Sequence, residues 1–166
     1  MKNLLFICGP NGIGKTTICK QLVRQLPHSA YVDSDSCRLM NPFILNDETI
    51  PTIRKNISDL IRNYFHCPAI QTVIFSYGFH GRRREIFDGV LQDLAEMEYR
   101  FIPLLLTCAE AESVRRMTCD QRDPERIRRA LEVSRQAFAG VDYPQIDITE
   151  LSVEDAASRI LSVLEL

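Results

Sequence analysis

The chain has 166 residues, 45% hydrophobic and 25% charged, which suits one packed globular domain spanning 1–166. A formal net charge of −2 argues against long nucleic acid or an anionic membrane surface as the partner. No apolar run approaches the ~20 residues of a membrane span, no signal-peptide pattern precedes the first strand, and the six cysteines form no C-x-x-C pair. A cytoplasmic protein with reduced thiols, monomeric or homodimeric, is therefore expected.

In chain order, the apolar run at 3–8 predicts a buried first strand. Gly9 to Thr16 follows directly and reads G-x-x-x-x-G-K-T, and Thr17 to Leu26 reads as a helix ended by Pro27. Strand, loop and helix together are the context a phosphate-binding P-loop requires. Gly9, Gly12 and Gly14 open backbone conformations closed to other residues. The loop N–H groups, including those of Asn11 and Ile13, then form an anion-binding nest, to which the helix adds its dipole. Lys15 is placed to reach the terminal phosphates, and Thr16 to offer its hydroxyl to Mg²⁺. Thr17 is a first-turn residue within reach of the α-phosphate.

A short strand at 30–32 leads into Asp33-Ser34-Asp35. In an extended chain the two carboxylates face the same way. One, with Asp33 the candidate, would hold Mg²⁺ through water, and the other would accept a proton from a substrate hydroxyl. A solvated turn is the competing reading. A loop with Pro42 and Pro51 precedes a helix at 52–66, and the 36–66 segment is assigned to acceptor recognition, with Arg38 and Arg54 as anion contacts. A strand at 70–75 ends at Ser76, a hydroxyl contact. The Mg²⁺-linked Asp that ATPases and GTPases usually carry near such a strand end is missing, against motor and switch readings. His80 either touches substrate or caps the next helix, at 82–97. That helix opens with Arg82, Arg83 and Arg84, a placement that opposes the helix dipole unless a substrate anion or Glu85 and Asp88 compensate. The sequence does not say which arginine leads.

Pro103 in the strand at 101–106 predicts an irregular start or a position free of a ladder bond. Helices at 109–118 and from Pro124 to about 139 flank a turn at Asp120 to Pro124, a candidate lid over 115–126. Arg122 is the arginine expected to close on the transferring phosphoryl group, and Arg116 to stack on adenine or reach a phosphate. Arg126, Arg128 and Arg129 read as ion-paired surface. A strand at 145–148 leads into Asp147 to Ser152, where a nucleotide base would rest, and a helix at 154–164 with Ser152 as its N-cap closes the chain.

Strands alternating with helices predict an α/β fold, a three-layer P-loop sandwich with its ligands off the carboxyl ends of five parallel strands. On Gly9 to Thr16, Asp33 and Asp35, Arg116 and Arg122, and the 147–153 ending, the chain resembles the small P-loop kinases of the nucleoside-monophosphate-kinase and shikimate-kinase type. The resemblance implies strand order 2-3-1-4-5, ATP with Mg²⁺, and a closing lid. It places Lys15, Asp33, Asp35 and Arg122 in catalysis, and Thr16 and Asp33 at the metal. The glycine run of shikimate kinases and the D-G-[FY]-P-R signature of adenylate kinases are absent, so the acceptor is left open. The leading reading is an ATP-dependent kinase of a small-molecule hydroxyl. A nucleotide or nucleic-acid-end kinase and a non-catalytic nucleotide-binding module are the alternatives.

Overall fold

The computed structural model describes residues 1–164. Strands β1 (Lys2–Cys8), β2 (Ser29–Asp33), β3 (Thr72–Tyr77), β4 (Tyr99–Thr107) and β5 (Gln145–Asp147) form one sheet in the order β2-β3-β1-β4-β5. Every pairing is parallel. Helices α1 (Lys15–Gln25), α2 (Thr49–His66), α3 (Arg83–Asp93), α4 (Glu110–Cys119), α5 (Pro124–Ala137) and α6 (Val153–Leu164) make the connections.

The central strand explains the layering. Successive side chains of a strand point to opposite faces. Leu4, Phe6 and Cys8 therefore enter one core with Val73, Phe75 and Tyr77 of β3 and the apolar stripes of α2 and α3. Leu5 and Ile7 enter a second core with Ile74, Leu104, Leu106, α1 and α6. β1 is buried from Leu4 onward because both faces are covered, as parallel sheets demand.

The alternation also corrects the third strand. Ile70 turns back onto Cys67, and pairing begins at Asn3↔Thr72, so β3 runs to Tyr77 rather than ending at 75. Ser76 and Tyr77 are thus buried strand residues, and the loop starts at Gly78. Pro103 lies well inside a regular β4, not at an irregular start. Leu105 N–H donates toward β5, to the carbonyl of Pro144. Two residues earlier on the same side β5 has not begun, so the missing N–H of Pro103 breaks no ladder bond. The cap assigned to Ser152 is present, with its Oγ accepting from Asp155 N–H at 3.1 Å. Among the described residues no helix is long and apolar enough to cross a membrane.

Candidate active site

One cavity of about 1210 Å³ opens at the carboxyl edge of the sheet. Its floor is the β1–α1 loop. Gly9 (φ 149°) passes so close to β4 that a Cβ there would lie 2.6 Å from the Leu106 carbonyl oxygen. At Gly12 (φ 84°) a Cβ would lie 2.3 Å from Met117 of α4. The loop needs glycine at both places, for conformation and for clearance. Gly14 (φ 101°) starts α1 without any side-chain cap, and the amides of Gly12 through Thr17 find no protein acceptor among the described residues. A row of unpaired donors at a helix N-terminus fits a polyphosphate. Lys15 Nζ folds back onto the carbonyls of Gly9 and Pro10, both at 2.8 Å, and burial pulls its ammonium down to about 8. Thr16 and Thr17 border the cavity beside it. Burial pushes the thiol of Cys8 up to about 12 and that of Cys19 up as well, so both stay protonated and inert.

Asp33 and Asp35 both line the cavity, but not as an extended pair. The strand ends at Asp33, and Asp35 sits in a helical conformation (φ −69°, ψ −35°). Asp33 Oδ1 accepts the Asp35 N–H at 3.0 Å, so an Asx turn replaces the expected alternation. The two acids act mainly on different neighbours. The Asp33 charge acts on Tyr31 and Cys19, in the region of Thr16, whereas the Asp35 charge acts on Lys15, Arg83 and Tyr77. Asp35 also pairs with Arg38. Ser76 is not a free hydroxyl: its Oγ and the Tyr31 hydroxyl are hydrogen-bonded at 2.7 Å.

The lid region divides unexpectedly. Arg116 donates to the carbonyls of Ile13 and Ile148 at 2.9 Å and to Glu112 at 2.8 Å, bracing the P-loop against the loop after β5. Most of its N–H groups are spent within the protein, so bracing accounts for more of this arginine than phosphate contact does. Ile148, Leu151 and Ser152 line the cavity next to it. Arg122, in the α4–α5 turn, brings Nη1 to 3.5 Å from where a Gly12 Cβ would stand, and pairs with Asp120 at 3.1 Å. Arg126, exposed as expected, lines the same cavity and lacks the expected ion pair among the described residues. Arg128 and Arg129 do pair with Glu125, and Arg128 also with Glu132.

Solved structures with this fold include the tunicamycin resistance protein of Deinococcus radiodurans (TM-score 0.71, 20% identity, covering 100% of this chain and 97% of that one). A sugar kinase of Janibacter sp. HTCC2649 follows at TM-score 0.67 and 14% identity (99% and 95%). The shikimate kinase of Acinetobacter baumannii in complex with shikimate has TM-score 0.62 and 19% identity (99% and 94%). No curated protein matches in sequence. A family model described as an AAA domain matches residues 5–136. The chain belongs to that family. Its architecture is that of the small P-loop kinases of the shikimate-kinase type, with the strand order expected for them.

On this AAA-domain scaffold the ends of β2 and β3 lie on one side of the P-loop, and α4, α5 and the β5–α6 loop come from the other. The β2–β3 side holds what the sequence hid. Arg82 pairs with Asp47 at 2.7 Å and Glu85 at 3.1 Å, and Arg84 with Asp88 at 3.1 Å. Only Arg83 of the three turns into the cavity without an acidic partner among the described residues. It is half-buried beside Arg38. Arg54, expected as an anion contact, is instead bound to Asp93 at 2.8 and 2.7 Å, outside this cavity. The Tyr77 hydroxyl and both ring nitrogens of His80 are buried with no partner among the described residues. Burial pulls His80 down to about 4, helped by the charges of Lys15, Arg83 and Arg38, so its ring is neutral at pH 7. A helix-phase count from Ile86 and Phe87, the core residues of α3, would have singled out Arg83.

Proposed function

We propose that this AAA-domain protein is an ATP-dependent phosphotransferase whose acceptor is a hydroxyl of a small molecule. One observation carries the reading: the uncapped P-loop with Lys15, the acids Asp33 and Asp35, and the lid arginines all face a single cavity. The fold shared with a sugar kinase and a shikimate kinase supports it. When bound, Mg²⁺-ATP supplies the phosphoryl group and the cation that offsets its charge. Gly9 to Thr17 and Lys15 would hold the phosphates, and Thr16 with Asp33 the metal. Among the described residues no three His, Cys, Asp or Glu side chains gather into a metal cage, which suits an ion held mainly by phosphate and water.

The remaining roles follow from position. Asp35, on the acceptor side, orients the hydroxyl and takes its proton as the acceptor oxygen bonds to the γ-phosphorus and the bond to ADP breaks. Arg122 and Arg126 approach from the α4–α5 side and stabilise charge on the transferring group. Arg116 fixes the P-loop and offers a stacking surface to the base.

The test is acceptor-dependent ADP release with Mg²⁺-ATP over a panel of hydroxylated metabolites, nucleosides, nucleoside monophosphates and 5′-hydroxyl oligonucleotides. Lys15→Ala and Asp35→Asn should each reduce turnover by about 10²-fold or more while leaving the fold intact. ATP binding with no transfer to any panel member would count for a nucleotide-binding module instead. Transfer only to oligonucleotides would count for a nucleic-acid-end kinase.

A further inference from the structure

We infer that the acceptor carries an anionic group, a carboxylate or a phosphate, seated between Arg38 and Arg83. The inference rests on the phosphotransferase reading of the cavity and adds the chemical class of its substrate. The cavity is lined by nine basic side chains and three acidic ones, on a protein whose net charge is −2. Much of that basic excess faces the nucleotide half. Arg38 and Arg83 do not: they come from the ends of β2 and β3, across the P-loop from α4 and α5.

At this spot the protein leaves its own chemistry unfinished. Arg38 and Arg83 both line this end of the cavity, each charge acting on the other, and the carboxylate beside them, Asp35, is already engaged by Arg38. Like charges held together in a half-buried place repel, and folding alone gains nothing from Arg83 there. Arg82 and Arg84, one residue to either side, each find acidic partners. The hydroxyl of Tyr77, a residue 1% exposed, and the His80 ring nitrogens add a donor and a donor–acceptor pair with nothing to bond among the described residues. An isolated buried polar group costs about 1–3 kcal/mol, and native proteins rarely leave several together. An anion at the arginines, on a molecule with further oxygen or nitrogen atoms toward Tyr77 and His80, satisfies all of them. A forked guanidinium pair suits a planar carboxylate or a phosphate. Asp35 then lies next to the anion site, where it meets the hydroxyl of the same molecule rather than the charged end.

Titration calorimetry with the nucleotide half filled by Mg²⁺ and a non-hydrolysable ATP analogue tests this. The probes are D-gluconate, D-glucose 6-phosphate and thymidine 5′-monophosphate, against uncharged D-glucose and thymidine. At least one anionic probe should bind tenfold or more tightly than its uncharged counterpart. Arg83→Ala should weaken that binding tenfold or more, Arg83→Lys less, and Arg84→Ala not at all, with the ATP analogue binding equally to every variant. Gluconate responding alone names a carboxylate; the phosphorylated probes responding name a phosphate. Equal binding of charged and uncharged probes, wild-type affinity in Arg83→Ala, or no anionic probe binding while the ATP analogue does, would each overturn the inference. Turnover separates it from the reading beneath it. An anion bound at Arg83 but never phosphorylated sinks the kinase and keeps the anion site. A neutral acceptor phosphorylated with unchanged KM in Arg83→Ala does the reverse.

Discussion

Arg54 and Arg83 stand on consecutive helices, and the protein treats them oppositely. Arg54 forks onto both oxygens of Asp93, Ser58 Oγ adds a bond to the same carboxylate at 2.8 Å, and Arg62 donates to the Asp93 carbonyl. Hydrogen bonds from Arg54 hold the Asp93 carboxyl down at about 2. The cluster is complete, and it ties α2 to α3. Around Arg83 the same residue types stay incomplete: a guanidinium without a carboxylate of its own, a hydroxyl and an imidazole without partners. A polar cluster that closes on itself explains its own presence as structure. One that stays open over a cavity is explained by what enters the cavity.

Between these two clusters the larger effect should fall on Arg83. Arg83→Ala should raise KM for the acceptor by about 30-fold, near 2 kcal/mol for a charge-assisted contact, with kcat little changed. Thermal unfolding should stay within ~0.5 kcal/mol of wild type, since only a repulsive neighbour is lost. Arg54→Ala should invert both readouts. It strands Asp93 and should cost about 1–2 kcal/mol in urea unfolding, moderated by the partial exposure of the pair, with KM unaffected. If Arg54→Ala raised KM and Arg83→Ala lowered stability, the contrast between the two clusters would collapse.

What the sequence reveals follows the same divide. The P-loop is legible because its chemistry is contiguous: glycines, lysine and threonine at fixed offsets between a strand and a helix. The arginine roles are not, because each depends on a distant partner. Arg54 finds Asp93 39 positions away, Arg116 finds Ile13 103 away, and Arg82 finds Asp47 across the α2 helix. Asp33 and Asp35 read correctly as cavity residues and wrongly as an extended pair, since an Asx turn is as compatible with Asp-Ser-Asp as a strand is. Tyr77 escapes notice through a two-residue error in the end of β3, which turns a buried strand residue into a loop residue. Sheet order is legible by resemblance alone; pattern shows five strands but not their sequence in space.

A smaller effect should appear with pH. His80 is held near 4 in the folded protein and returns to its ordinary value of about 6.5 on unfolding. As pH falls from 6.5 to 4 the unfolded chain takes up this proton first, so His80 makes the native state less stable over that window and adds nothing further below it. The contribution should be on the order of 1 kcal/mol, after allowing for partial contact with solvent. Urea unfolding at pH 4.5 and 7.5 should show a smaller drop in His80→Gln than in wild type. An identical drop would mean the imidazole is protonated in both states.

Tyr77→Phe should give the smallest change and the most discriminating sign. A tyrosine hydroxyl buried without a partner costs desolvation and returns no bond. Burial pushes its pKa up to about 12, so it remains a neutral donor. Its ring stays packed on Phe75 and Phe87 in either variant. Removing the oxygen should therefore leave stability unchanged or raise it by up to about 1 kcal/mol. The same change should weaken acceptor binding about three- to tenfold, because the ligand loses a bond that it alone makes. A hydroxyl kept only for structure would behave the other way: its loss would lower the unfolding midpoint and leave acceptor affinity untouched. The two readouts move in opposite directions only if the vacant bond belongs to the substrate.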